Sequence, residues 1–130
     1  MKIDVNTHRT MKVSDLASLS VPASGLQCRL QGYLFYRIVP EEAPVCYLAE
    51  DQEVPRLLVT IPERYADFLL REDSTFGMLV GGDYAYFGME CVVEGLVCST
   101  SAEKFRLSRV SSIRLIQDDI FRDFLIPPDL

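Results

Sequence analysis

The stretch from Gln27 to Ile38 constrains the fold most, because its residue types alternate strictly. Successive side chains of a β-strand point to opposite faces of the sheet. One face holds small and apolar residues, namely Cys28, Leu30, Gly32, Leu34, Tyr36 and Ile38. The other face holds polar, basic and aromatic residues, namely Gln27, Arg29, Gln31, Tyr33, Phe35 and Arg37. The pattern predicts a long strand with one side in the core and an outer side suited to contact with another molecule.

Two more strand-like segments follow this first strand. A turn-rich link from Pro40 to Ala43 leads into a predicted second strand at residues 44–50. The link is short, so the first two strands are expected to form a hairpin. The sequence RLLVTI, residues 56–61, predicts a third strand, because β-branched side chains suit a pleated, half-buried surface.

The spacing of apolar residues changes from two to three and four after the third strand. Pro62 is tolerated in the first turn of a helix, and Glu63 complements the positive end of the helix dipole. Tyr65, Phe68 and Leu69 then fall on one helical face. These features predict one helix over residues 62–72, with its apolar stripe packed on the core.

The second half of the chain returns to strand-like patterns. Residues 89–98 and 105–116 predict two further strands, with a bulge or bend at Gly95 and a register break near Ser111 and Ser112. At the end of the chain, apolar residues stand at helical spacing before two prolines, and they are Ile120, Phe121, Phe124 and Leu125. This spacing predicts a short terminal helix.

The order strand, strand, strand, helix, strand, strand resembles that of the OB-fold, a five-stranded Greek-key barrel. The resemblance is carried by VSDLASL, QGYLFY with its glycine, GMECVVEGLVCST and FRLSRVSSIRLI, and it covers residues 13–116. It implies a mainly β fold with the helix between strands 3 and 4. A small twisted sheet packed on one helix with another connectivity is the alternative.

Length and apolar content fit one domain. The chain has 130 residues, of which 48% are hydrophobic, and no change of composition marks a boundary. We expect a single domain over residues 1–130, with an N-terminal extension (1–12) and a C-terminal helical tail (118–130). The sequence contains no apolar run long enough to span a membrane and no hydrophobic secretory segment at its start. A cytoplasmic protein without membrane contact is expected.

The cysteines do not form a recognisable metal or redox motif. Cys28, Cys46, Cys91 and Cys98 lie in apolar runs, without a CxxC pair and with a single histidine in the chain. Free cysteine behaves as a small core hydrophobe, so buried free thiols are expected. Two disulfides in an oxidising compartment are the alternative.

Catalytic chemistry lacks its usual residues. His8 is the only histidine, and it lies in a weakly patterned segment. The sequence contains no nucleophile elbow, metalloprotease motif or phosphate-binding glycine loop. We expect a protein that is not an enzyme and that needs no cofactor or metal ion.

The formal net charge of −6 favours a protein partner over nucleic acid. Nucleic-acid binders gain much of their affinity by neutralising phosphates, which an acidic chain repels at long range. An acidic protein is instead steered towards a basic partner, although such a charge also serves plain solubility.

The OB-fold resemblance implies a binding face on the second and third strands, flanked by loops. The predicted partner-binding residues are Arg29, Tyr33, Phe35, Arg37, Glu41, Glu42, Tyr47, Glu50, Asp51 and Arg56. We expect a protein-binding module, in concrete form a bacterial immunity-type protein that neutralises a basic toxin or nuclease. One alternative is a domain that binds single-stranded nucleic acid through aromatics and arginines. Another is a structural subunit that uses residues 118–130 as its contact.

Overall fold

The computed structural model describes residues 10–19, 21–22, 24–37, 45–72, 84–99 and 105–130; the side chains of 37 and 84–87 lie outside this description. Within these ranges the chain forms seven strands, a short 3₁₀ helix (Val13–Ser18) and one α-helix, α1 (Glu63–Glu72). The strands are β1 (Thr10–Lys12), β2 (Leu26–Arg37), β3 (Val45–Ala49), β4 (Leu58–Thr60), β5 (Tyr84–Cys98), β6 (Arg106–Gln117) and β7 (Ile120–Leu125).

Five of the strands close into a barrel in the order β2, β3, β4, β6, β5 and back to β2. The pairs are antiparallel except for β4 with β6, where Thr60 is paired in parallel with Arg106. Helix α1 lies between the third and fourth barrel strands of the chain. The predicted mainly β class, the five-stranded barrel and the position of the helix are therefore confirmed, and the closure is compatible with an OB-like barrel.

The alternation in β2 places the predicted apolar face inside the barrel. Cys28, Leu30, Leu34 and Tyr36 are all buried. Gly32 is buried too, and a Cβ atom there would lie 2.7 Å from the Ala49 carbonyl oxygen. Gly32 thus permits a close approach between β2 and β3.

The bulge predicted near Gly95 is present where β5 meets β6. Glu94 pairs with Ser112 and Gly95 pairs with Val110, which leaves Ser111 as the extra residue. A Cβ atom on Gly95 would overlap the Arg109 carbonyl oxygen. The bulge and the register break at Ser111 are therefore one feature, and glycine gives the space for it.

Helix α1 begins at Glu63, one residue after the predicted start, and packs its apolar face on the barrel. Tyr65, Ala66 and Leu69 are buried. The Tyr65 hydroxyl accepts a hydrogen bond of 3.1 Å from the Val110 amide beside the bulge. The buried Tyr36 hydroxyl donates to Asp67 Oδ1 at 3.0 Å. These contacts fix the helix to β2 and β6.

The predicted N-terminal extension is in part an edge strand. Thr10, Met11 and Lys12 form β1, which pairs in parallel with Arg29 to Gln31 of β2. Residues 1–9 lie outside the described ranges.

The predicted terminal helix is wrong, because residues 120–125 form the strand β7 paired with β6. Phe121 and Leu125 are four residues apart, a spacing that puts them on one face of a helix and equally on one face of a strand. Asp118 and Asp119 both adopt positive φ, 51° and 66°, as a two-residue hairpin turn between β6 and β7 requires. A helix of six residues would have marginal stability on its own. Residues 112–117 of β6, by contrast, pair with all six residues of β7.

Candidate functional site

The structure distributes the predicted binding residues over several places on the outer surface. Arg29 lies in a groove on the outer side of β2 and β5, Phe35 and Tyr47 form an aromatic pair, and Glu50, Asp51 and Arg56 belong to the loop between β3 and β4. Glu41, Glu42 and the side chain of Arg37 lie outside the described residues. The described members of the predicted set therefore do not form one compact site.

Phe35 and Tyr47 stack on each other across β2 and β3. They are paired in register, with ring centroids 5.1 Å apart and an angle of 15° between the planes. Phe35 is only 2% exposed, although it belongs to the outer face of β2. The prediction that Phe35 is available to a partner is therefore wrong. The ring packs under Tyr47 and does not face solvent.

Tyr33 and Glu50 share a shallow pocket of about 180 Å³ with Lys12, Gln31 and Glu90. Gln31 Nε2 donates to Glu90 Oε2 at 3.2 Å. The pocket combines two carboxylates with one lysine, so its local charge is acidic.

Glu50 and Asp51 fold the loop between β3 and β4. Desolvation opposes ionisation of Glu50, yet hydrogen bonds from the Leu57 and Arg56 amides, 3.0 Å each to Oε1, hold its pKa below the usual value. The Asp51 carboxylate accepts from the amides of Val54 and Glu53 at 2.7 and 2.9 Å, which lowers its pKa as well. Both acids predicted to attract a partner are therefore already used by the loop backbone.

A patch of apolar and aromatic side chains covers the outer face of β3 and β4. We define the β3–β4 patch as Val45, Tyr47, Leu58 and Thr60, which share this face by register. Val45 and Leu58 are exposed, while Tyr47 and Thr60 are half-buried. Val45 was missed in the predicted set, although its alternation with Tyr47 identifies the face it lies on.

The groove that holds Arg29 has a volume of about 330 Å³ and carries paired charges. Arg29 Nη2 lies 3.8 Å from Glu94 Oε1, which is 3.4 Å from the Ser112 hydroxyl. Arg114 grips Asp123 through two hydrogen bonds, of 2.6 Å from Nε and 3.1 Å from Nη2. The Arg114 guanidinium holds the pKa of Asp123 below its usual value.

The four cysteines are free, as predicted, and three of them are buried. Burial raises the pKa of Cys28 to about 11 and that of Cys46 to about 12. Burial likewise raises the pKa of Cys91. These groups are thiols at neutral pH and act as core side chains.

Within the described ranges, no cluster of three or more histidine, cysteine and acidic side chains is arranged to hold a metal ion. Neither of the two helices in that part of the chain has the length and apolar character needed to cross a bilayer.

Comparison of the chain with protein-family models, with curated proteins and with solved structures finds no match.

Proposed function

We propose that this chain is a non-enzymatic protein-binding module on an OB-type barrel, which docks a basic protein through the β3–β4 patch. The observation that supports the proposal is the contrast between this patch and the groove that holds Arg29. The patch exposes Val45 and Leu58 beside the ring of Tyr47. The groove arginines Arg29 and Arg114 are instead held by Glu94 and Asp123.

The charges of the described surface favour a basic protein over a phosphate backbone. The whole chain carries −6, and the two arginines of the groove already have carboxylate partners. A single-strand binder also needs exposed rings beside cations that are free to meet phosphate. Phe35 is covered, and the exposed ring of Phe121 lies beside Arg114, which Asp123 holds. Aromatic side chains with apolar neighbours are, by contrast, the usual anchors of protein interfaces.

A concrete form of this proposal is a cytoplasmic immunity-type protein. Such a protein would cover the basic cleft of a toxin or nuclease, with the patch as the apolar centre and the acidic surroundings as the rim. Size and net charge support this form, because a small acidic domain associates rapidly with a basic enzyme.

Affinity capture from the source lysate tests the proposal with a matched pair of variants. Leu58 and Leu19 are 40% and 42% exposed, and they lie on β4 and just after the 3₁₀ helix. We expect wild type and Leu19→Lys to retain the same basic protein, which Leu58→Lys loses and which is released by high salt. Capture that Leu58→Lys leaves unchanged would contradict the assignment of the patch.

A titration with labelled single-stranded oligonucleotides at low salt addresses the competing function. No binding is expected at protein concentrations of about 50 μM, a range in which even nonspecific nucleic-acid binders associate. A salt-dependent affinity in this range would overturn the protein-binding proposal in favour of nucleic acid.

A further inference from the structure

The β7 strand presents a free backbone edge in the part of the chain that is described. The Ile126 amide donates to the Ser111 carbonyl oxygen at 2.9 Å, so residue 126 faces β6. Hydrogen-bonding directions alternate along an antiparallel pair, so Phe121, Asp123 and Leu125 direct their N–H and C=O groups away from β6. Among the described strands, β7 pairs only with β6.

The side chains on this edge are unusually exposed for their type. Ile120, Phe121 and Leu125 are 60%, 56% and 83% exposed, more than any other large apolar side chain in the described ranges. Folded proteins normally protect edge strands with lysines, prolines, bulges or a covering element. In β7 the paired residues run without a register shift from Ile120 to Leu125. The charged residues Arg122 and Asp123 stand between exposed apolar side chains, and among the described residues this regular edge is suited to accept another strand.

We propose that β7 binds an extended segment of a basic partner protein, which adds to the sheet as a further strand. This inference rests on the proposed function for the basic character of the partner, but it assigns a different surface. Phe121, Asp123 and Leu125 lie on one face at successive alternate positions. The complementary segment therefore has the pattern apolar, any, basic, any, apolar, with its basic residue opposite Asp123.

The charge around the edge selects a basic segment. Residues 118–130 contain four aspartates and one arginine, which gives this terminal stretch a net charge of −3. Opposite charges across paired strands stabilise the pairing, and like charges directly opposite destabilise it. Asp123 is exposed, and both of its carboxylate oxygens accept hydrogen bonds from Arg114 on β6. A lysine on an added strand would place a second cation beside this carboxylate, on the side away from β6.

The same rule disfavours a second copy of this chain as the occupant. In antiparallel self-pairing, the outward residues Phe121, Asp123 and Leu125 of one copy must face the outward residues of the other copy. The register that covers both Phe121 and Leu125 pairs each with the other across a two-fold axis at Asp123. This register sets the Asp123 carboxylate directly opposite its own copy. Each copy also carries −6, so long-range repulsion adds to this local conflict.

Fluorescence anisotropy with two short peptides tests the proposal on the full chain. The probe is a labelled peptide Ser-Thr-Val-Thr-Lys-Thr-Val-Thr-Ser, and its partner probe has Glu in place of Lys. We expect saturable binding of the lysine peptide below about 1 mM and binding of the glutamate peptide that is weaker by about fivefold. Absence of saturable lysine-peptide binding up to that concentration, or equal affinity for both peptides, would overturn the proposal.

Variants assign the binding to the β7 edge. Leu125→Lys should weaken binding of the lysine peptide by about tenfold, whereas the exposed control Leu19→Lys should leave it unchanged. Asp123→Asn should remove the preference between the two peptides, and denaturation curves of each variant establish that the barrel remains folded. If Leu125→Lys binds the peptide as wild type does, the β7 assignment is wrong.

Sedimentation velocity completes the test and separates the two proposals. A dimer that dissociates in Leu125→Lys would identify a second copy as the occupant and would overturn the inference. Peptide binding is independent of Leu58, so the two proposals fail separately. A failed peptide titration with lysate capture still lost in Leu58→Lys overturns only the β7 proposal. Normal peptide binding with capture unaffected by Leu58→Lys overturns only the patch.

Discussion

The closed barrel and the β6–β7 hairpin contain the same apolar residue types, but the barrel buries them and the hairpin exposes several of them. Inside the barrel, Leu30 and Leu115 are fully buried, whereas Leu125 on β7 is largely exposed. Strand β6 belongs to both regions, and the bulge at Ser111 precedes the residues that pair with β7. A closed barrel has no edges to protect, but a strand added outside it leaves one open. We infer that most of the folding stability resides in the barrel, whereas the hairpin leaves apolar side chains available for contacts.

A leucine-to-alanine substitution in each region should have very different effects on stability. Leu30→Ala should lower the free energy of unfolding by about 3 kcal/mol, because it leaves a cavity in a packed core. Leu125→Ala should change it by less than about 0.5 kcal/mol, since a mostly exposed side chain loses little burial. Urea denaturation of both variants measures the difference. Equal losses would mean that β7 is a structural part of the barrel.

The junction between the two regions is expected to be sensitive at Gly95. Gly95→Ala places a methyl group against the Arg109 carbonyl oxygen and forces the bulge to move. We expect a loss of about 2 kcal/mol in the free energy of unfolding, within the usual range for overpacking. Gln117→Ala, at an exposed position of β6, is the control and should be near neutral. A Gly95→Ala protein as stable as this control would show that the bulge can relax freely.

The strands of the barrel were predicted well because their sequence signals are local, whereas the barrel itself was expected from the OB-fold resemblance. Strict alternation in β2 is typical of a strand with one buried face. A glycine inside a strand, such as Gly95, usually marks a bulge or a close approach of another backbone. The β7 strand was missed because a spacing of four residues fits both a helix and a strand face. Only the positive φ angles at Asp118 and Asp119, together with the free end of β6, decide between them.

The candidate site was less predictable, because side-chain roles depend on neighbours that alternation does not reveal. Phe35 lies on the outer face, yet Tyr47 stacks on it. Glu50 and Asp51 were interpreted as acids that face a partner. Glu50 instead accepts hydrogen bonds from the amides six and seven residues further on, and Asp51 from those two and three residues further on. Such local capping by acids is common in turns and gives no distinct sequence signal beyond the acids themselves.

The stability of the loop between β3 and β4 is expected to depend on pH through Glu50. Its folded pKa is lowered, so its contribution to stability is fully present above the unfolded pKa of about 4.3 and is lost as the pH falls through the lower folded pKa. Glu50→Gln should therefore cost about 1 kcal/mol in the free energy of unfolding near pH 7, and a smaller amount near pH 3. Glu53→Gln, in the same loop, is the control. A cost that is the same at both pH values would contradict a charge-assisted cap.

The smallest expected effect on stability comes from a substitution in the hairpin turn. Where this effect appears shows whether β7 unfolds together with the barrel. Asp119 has φ of 66°, a left-handed conformation that strains a side chain but not glycine. Asp119→Gly should stabilise the hairpin by about 0.5 kcal/mol, since the relief of strain exceeds the entropy that glycine adds to the unfolded chain. Amide hydrogen exchange in β7, compared with denaturation of the whole chain, measures where the gain appears. A gain confined to β7 amides means that the hairpin opens on its own, as an interaction edge would. An equal gain in global unfolding would instead join the hairpin to the barrel as one cooperative unit.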